Sequence, residues 1–387
     1  MKKLKACLCL ALCLVLLTPL ALAFNEQQVA ADVDKMFSKS KVMGGSVVVA
    51  VKGRIVYARE YGFANIRQKT PVTPLTYYRL ASITKMVSGI GLMKLVEEGK
   101  LNLDEDISTY YGYSIRNPRF KKNPLTLRQL MSHTSSLSEN GGFSNLRSTI
   151  HGMLSEESNR RANFQNYAPG SQYKYSNFGA GVTGSIIEAV TDLSANRYMM
   201  QYIFAPLGIH ASYAGSVIQD PQNLSSQYSD ATLFKSADAY IRDGYEDYPS
   251  PDTHYRTTYG GLWIRSRDLI KLVSVLAGDG SYEGVQLLSP ETVRLMRQDQ
   301  KTLGASVTGD SPYGLFVERN TTLIPGKTIY GHQGMTDVGI VNAYYDPDTQ
   351  FAFVLLNNGS SRVREDRVGV MARNMLSYLY PIFSGIQ

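Results

Sequence analysis

The chain has 387 residues, 43% of them hydrophobic and 19% charged, with a formal net charge of +7 and three cysteines. That length suffices for one large core, or for one core with a sizeable insert, and the modest charge makes a solvated surface rather than a polyanion-binding patch. No Lys/Arg run with interleaved aromatics occurs, so no nucleic-acid partner is expected.

Lys2, Lys3 and Lys5 precede an apolar run from Ala6 to Leu22, and Ala21-Leu22-Ala23 sets small residues at the −3 and −1 positions of a signal-peptidase site. The run is short for a membrane anchor and its end is cleavable. The expectation is a signal peptide over residues 1–23, one domain over 24–387, and a secreted or periplasmic mature chain with no membrane anchor. Cys7, Cys9 and Cys13 all lie inside the leader, which leaves the mature chain without disulfides, zinc-cysteine sites or thiol nucleophiles. Cys13 sits mid-run and not at the cleavage point, which speaks against a lipoprotein. The leader carries three lysines and no acid, so its removal lowers the net charge from +7 to +4.

After the leader, Val29, Val33 and Phe37 recur at helical spacing and predict an amphipathic helix over Asn25–Ser40. Ser46–Val51, a Lys52-Gly53 turn and Arg54–Ala58 predict a β-hairpin. Helices are expected at Leu125–Ser132, Gly179–Thr191, Ser194–Ile203, Ser266–Ala277 and Pro290–Gln298. The Tyr-rich stretch Gln219–Tyr255 has little pattern and predicts loops over a site. Val338–Tyr345 and Phe351–Leu356, around Asp346-Pro347-Asp348-Thr349, predict a second hairpin whose apolar continuity implies burial on both faces. A closing helix is expected over Val363–Tyr380. Strands at both ends and helices between them predict an α/β fold. Its mostly antiparallel sheet is built from both termini with helices on both faces, and an all-helical region is inserted at roughly residues 100–260.

Three short motifs carry chemistry. Ser82-Ile83-Thr84-Lys85 puts a hydroxyl at a helix start and an amine one turn on, where the amine can serve as base and the helix N-terminus favours an oxyanion. Ser38…Lys41 and Ser171…Lys174 share the spacing, but only Ser82 opens an apolar run (Ile83, Met86, Val87, Ile90, Met93, Val96) of a central helix. That run ends at Gly99, placed as a C-terminal cap. Gly89 and Gly91 predict close backbone packing. A plain helix cap at Ser82 with a solvated Lys85 is the bland alternative. Tyr173-Lys174-Tyr175-Ser176-Asn177 offers a phenol and an amide on one loop, or only a tyrosine-rich surface turn. Gly331-His332-Gln333-Gly334 offers a glycine-bearing strand edge, open to a substrate backbone and an oxyanion, with His332 as polar wall or proton carrier, or else an ordinary turn histidine. No metal-ligand spacing involves the other histidines, and no GxSxG elbow occurs.

In the order SxxK, YxN, HxG these motifs resemble the serine penicillin-recognising superfamily, specifically its class C β-lactamase and DD-peptidase branch. Further likenesses follow in family order: Gly99–Asp104, Leu125–Leu137, Tyr167-Ala168-Pro169-Gly170, Pro206-Leu207-Gly208, Gly260-Gly261-Leu262 and Leu288–Glu291. The resemblance implies Ser82 as acylated nucleophile, Lys85 as its base and Tyr175 as the phenol that relays the proton to the leaving group. It implies Asn177 near the substrate's acyl side chain, His332 and Gly334 in the third motif, and backbone amides of Ser82 and Met335 as the oxyanion hole. His133 is a family hallmark with a structural look. Histidine stands where β-lactamases carry lysine, and Gln333 where threonine is usual. Both departures fit a D-peptidase or esterase better than an efficient β-lactamase. The expected function is an exported serine hydrolase of D-amino-acid-containing peptides, with no metal or organic cofactor. A β-lactamase or carboxylic-ester hydrolase is the alternative, and a non-catalytic wall-binding or sensor protein is the competing class. Expected partners are a small peptide, β-lactam or ester, with cell-wall peptidoglycan a further candidate.

Overall fold

The computed structural model describes residues 25–386 apart from 144, 146, 246 and 301–312. The predicted leader and its cysteines therefore lie outside the described residues. Helix α1 (Glu26–Lys39) begins where Asn25 Oδ1 accepts a hydrogen bond from Gln28 N, and it turns Val29, Val33 and Phe37 inward. Strands β1 (Gly44–Val51) and β2 (Arg54–Asn65) are joined by Lys52 and Gly53, with φ of 51° and 75°. Two left-handed residues make the tight hairpin turn that matches strand twist.

The sheet continues with β3 (Thr70–Pro71), then β4 (Glu318–Asn320), β5 (Ile329–Met335), β6 (Ile340–Asp346) and β7 (Phe351–Asn357). Its seven strands run in the order β4-β5-β6-β7-β1-β2-β3, every pair antiparallel. The central pair joins the two ends of the chain, Gly45 opposite Asn357 through Val51 opposite Phe351. Successive side chains of β1 part to opposite faces. Val47, Val49 and Val51 pack with α1 and the closing helix α5 (Val370–Phe383), while Val48 and Ala50 join the larger core on the other side. That larger core holds α2 (Ile83–Glu97), α3 (Asn177–Thr191) and α4 (Ser266–Ala277).

Helix α2 is buried almost all round, which explains its lack of a polar face. Gly99 ends it at φ 69°. Gly89 and Gly91 admit side chains where backbone packing was expected: a Cβ at Gly91 would meet Met199 Sδ at 2.3 Å, and one at Gly89 would meet Met296 Cε at 3.4 Å. A small sheet of Tyr77–Arg79, Trp263–Arg265 and Ala211–Ser212 fixes the chain's entry into α2.

Several boundaries differ from the sequence expectation. The middle region is mainly helical but also carries Ala211–Ser212 and a hairpin, Gln227–Ser229 with Thr232–Lys235. The closing helix starts at Val370, because Asp366 and Arg367 (φ 44° and 67°) fold residues 364–369 into a tight hairpin first. Residues Ser194–Ile203 begin as Ala195–Met199 and widen into a π-turn over Met200–Phe204. Among the described residues no helix is long and apolar enough to cross a membrane.

Candidate active site

Ser82 occupies the N-cap of α2, and its side chain caps nothing, which leaves the hydroxyl for other work. The preceding Ala81 has φ 45°, a left-handed conformation that costs an L-residue roughly 1–2 kcal/mol. The turn is held by Leu80 N donating to Leu262 O at 2.8 Å. It is also pressed against β5, where a Cβ on Gly334 would meet Leu80 O at 2.1 Å. Gly334 thus admits the protein's own backbone, and Gly331 does the same toward Ala343 O at 2.1 Å. Strand β4 pairs with β5 only over Ile329–Gly331, so that side of β5 keeps an unpaired edge from His332 to Met335, while the two glycines themselves meet the protein's own backbone.

Lys85 lies one turn below Ser82 and is fully buried. Its ammonium donates to Ser82 Oγ at 3.0 Å, Asn177 Oδ1 at 2.9 Å and Tyr259 O at 2.7 Å, so all three protons are placed. Burial drives its pKa down to about 7, against the pull of Glu139 and Glu318. A lysine so depressed is substantially neutral near physiological pH and can take a proton from the serine. The solvated-Lys85 alternative is excluded by this burial.

Tyr175 sits on the loop before α3, its ring 4.9 Å from Lys85 Nζ and 4.3 Å from the His133 ring. Its phenol faces Ser82, which eases ionisation, but the geometry falls short of a formed hydrogen bond, and burial holds its pKa well above the ordinary value. Such contacts commonly tighten only when substrate arrives. Asn177 opens α3, with Ser176 as cap, and its backbone N donates to Glu139 Oε1 at 2.5 Å. His133 follows the short helix Leu127–Met131 in a left-handed turn (φ 58°), and its Nδ1 accepts from Ser176 N at 3.3 Å. It braces the Tyr175 loop from behind.

His332 is 1% exposed. Its Nδ1 lies 2.6 Å from Gln333 O and its Nε2 2.8 Å from the Tyr313 hydroxyl. A carbonyl only accepts, so Nδ1 carries the proton and Nε2 accepts from Tyr313. Burial, with Lys85 nearby, lowers its pKa to about 3. This histidine is a neutral wall group, and both of its nitrogens are engaged.

Ser82, Tyr175, Asn177, His332 and Met335 line one cleft of about 1210 Å³, with Lys85 and Gly334 beneath its surface. The predicted loops of Gln219–Tyr255 do not line it; residues 364, 366–368 and 320–322 do. Among the described residues no group of three or more His, Cys, Asp or Glu is placed to hold a metal ion.

A family model described as Beta-lactamase matches residues 26–374. The chain belongs to the beta-lactamase family. That bears out the resemblance drawn from the three motifs and places the chain among serine hydrolases. A putative D-alanyl-D-alanine carboxypeptidase of Escherichia coli O157:H7 is 26% identical over 357 residues, covering 81% of this chain and 78% of that one. Protein flp of Staphylococcus aureus (strain NCTC 8325 / PS 47) is 27% identical over 198 residues; that match spans 49% of this chain and only 38% of that protein's length. Among solved structures, the octameric penicillin-binding protein homologue from Pyrococcus abyssi has a TM-score of 0.71 at 23% identity, covering 92% of this chain and 77% of that one. D-amino acid amidase from Ochrobactrum anthropi SV3 has a TM-score of 0.68 at 20% identity, covering 90% and 95%. These structures share the fold of this beta-lactamase family chain.

Within that fold, three participants carry no motif. Tyr259 contributes only a carbonyl, Tyr313 only a hydroxyl to His332, and Glu318 a carboxyl at the wall beside His332, its Oε1 3.7 Å from Nδ1. The one sequence signal was an acid closing the apolar run Leu315-Phe316-Val317-Glu318.

Proposed function

We propose that this chain is an exported hydrolase acylated at Ser82 that acts on D-amino-acid-containing peptides or amides. The observation that carries the reading is Lys85, buried, held on Ser82 Oγ and with its pKa brought down to about 7. In this mechanism Ser82 Oγ attacks a carbonyl carbon and its proton passes to the neutral Lys85 amine. The tetrahedral oxyanion is held by the amides of Ser82 and Met335. The leaving nitrogen or oxygen departs with a proton relayed through Tyr175. Water, deprotonated by the same pair, then frees the acyl group and restores Ser82. A pure binding protein needs no such nucleophile–base pair. The likeness to a putative D-alanyl-D-alanine carboxypeptidase supports a D-peptide substrate.

A carboxylic ester is the second reading, favoured by His332. Neutral and tied to Tyr313 and Gln333, it offers no charge to the carboxylate that β-lactams and D-peptides carry. A hydrolysis panel of D-Ala-D-Ala peptides, nitrocefin and short acyl esters tests both. Turnover of the D-peptide is expected, with nitrocefin slow; rapid nitrocefin hydrolysis as the dominant activity would overturn the assignment. Export through cleavage after Ala23 is checked by the N-terminal sequence of the mature protein, which should begin at Phe24.

A further inference from the structure

We propose that the cleft wall formed by Glu318, Tyr173 and Tyr313 is a subsite for a cationic group, an ammonium or quaternary ammonium, on the part of the substrate lying along β5. The proposal rests on the acyl-transfer reading of Ser82. That reading sets Asn177 beside the acyl side chain and so leaves the opposite wall, along β5, to the leaving group.

Glu318 lies on β4, opposite Gly331 of β5, its side chain is about a quarter exposed (26%), and it lines the cleft. Its nearest basic group is His332, whose Nδ1 proton is committed to Gln333 O and which bears no charge. No Lys or Arg among the described residues pairs with this carboxyl; the Gln333 backbone N–H, Lys85 and Arg367 favour its charged form without outweighing burial. Tyr175, Tyr313 and Tyr344 face it as neutral phenols. The result is a desolvated acid, its pKa pushed up to about 7 by burial, without a Lys or Arg ion pair among the described residues.

The aromatic component is independent of that charge. Tyr173 and Tyr313 line the same cleft with ring centroids 5.9 Å apart. A carboxylate beside ring faces is the chemistry that binds ammonium groups. The cations at the mouth, Arg79, Lys174, Arg364 and Arg367, are partly or fully open to solvent, and salt screens them far more than it screens the recessed acid.

The test uses butyrylcholine and its uncharged carbon isostere, in which tert-butyl replaces trimethylammonium, as competitors of fluorophosphonate labelling at Ser82. Neither compound titrates, so any pH dependence of their ratio belongs to the protein, and effects on Lys85 cancel. Butyrylcholine should protect at a concentration ~tenfold lower than the isostere at about pH 8, with the preference fading at about pH 5.5 as Glu318 takes up a proton. Glu318→Gln should abolish the preference at every pH, and Glu318→Asp should restore part of it. Equal protection by the two compounds, protection by neither, or a preference that survives Glu318→Gln overturns the subsite. Failure of Ser82 to label at all instead overturns the acyl-transfer reading beneath it.

Discussion

At the scale of single residues, Lys85 joins function to stability through one proton. In the proposed mechanism its neutral form is the base, so kcat/KM for an uncharged ester should climb from acid pH to a plateau with a midpoint near 7. Lys85→Arg keeps the charge but has no reachable neutral form, and should lose on the order of 10³-fold or more; near-wild-type activity in that variant would remove Lys85 from the proton path. The unfolded chain holds the same proton up to the ordinary lysine value of 10.5, so this group makes the fold more stable as pH rises from about 7 to that value. Glu318 works in the opposite sense. Its folded pKa is raised from 4.5 to about 7, so its contribution falls as pH rises across that window. Denaturant midpoints against pH should flatten in the upper window for Lys85→Met and in the lower one for Glu318→Gln. Ser82→Ala removes a hydroxyl that caps nothing but accepts from Lys85, so the protein should still fold, at most about 1–3 kcal/mol less stable, while turnover falls by on the order of 10⁴- to 10⁶-fold. Residual activity above a few per cent would contradict the nucleophile assignment. Ser82 and Lys85 were legible because one helical turn puts them together. Glu318 and Tyr313 were not, since it takes the β4–β5 register and the bridge between Tyr313 and Glu318 to bring them to His332.

At the scale of elements, the contact between α2 and β5 decides whether the site is assembled. A Cβ on Gly334 would strike Leu80 O, a backbone atom with no room to yield, and Val341 Cγ2 at 2.8 Å. Gly334→Ala should therefore part the strand from the nucleophile turn and cut kcat/KM by on the order of 100-fold, since displacements near 1 Å cost that much. Gly99→Ala, at the far end of the same helix, meets nothing within 4 Å but must hold φ 69°. It should cost about 1 kcal/mol of stability and leave kcat/KM unaltered. Steady-state kinetics and thermal melts on the two variants separate these outcomes; equal kinetic effects would show that close packing at Gly334 is not what positions Ser82. Elements with a strong period were readable: α1 from Val29, Val33 and Phe37, and the β1–β2 hairpin from its Lys52-Gly53 turn. The closing helix was expected from Val363, but Asp366 and Arg367 are left-handed and put a tight hairpin over residues 364–369 at the cleft wall, which no local apolar pattern announces.

At the scale of the whole molecule, α5 seals a face of the sheet that nothing else covers so fully. Met371, Met375, Leu376, Leu379 and Phe383 are buried against β1 and β7. At roughly 1.5–3 kcal/mol for each of these five apolar side chains, that face contributes about 7.5–15 kcal/mol, comparable with the whole 5–15 kcal/mol by which domains are usually stable. Deletion of α5 should yield insoluble or dye-binding protein without near-ultraviolet dichroism, and a soluble, active truncation would show that the face is dispensable. The general architecture was legible because apolar strands cluster at both ends; the strand order was not, since pairing across the chain leaves no local mark. That pairing also sets a timetable. β1 is made early, yet its partner β7 emerges about 300 residues later, so the closing entropy falls due only when synthesis is nearly finished. A nascent chain carries Ser82, Lys85 and Tyr175 long before it carries the strand that walls them in. Until then the lysine is open to water and keeps its proton, and by the proposed mechanism the serine would have no base. A chain threaded unfolded through a membrane pore would reach the far side harmless and gain its reactivity only there.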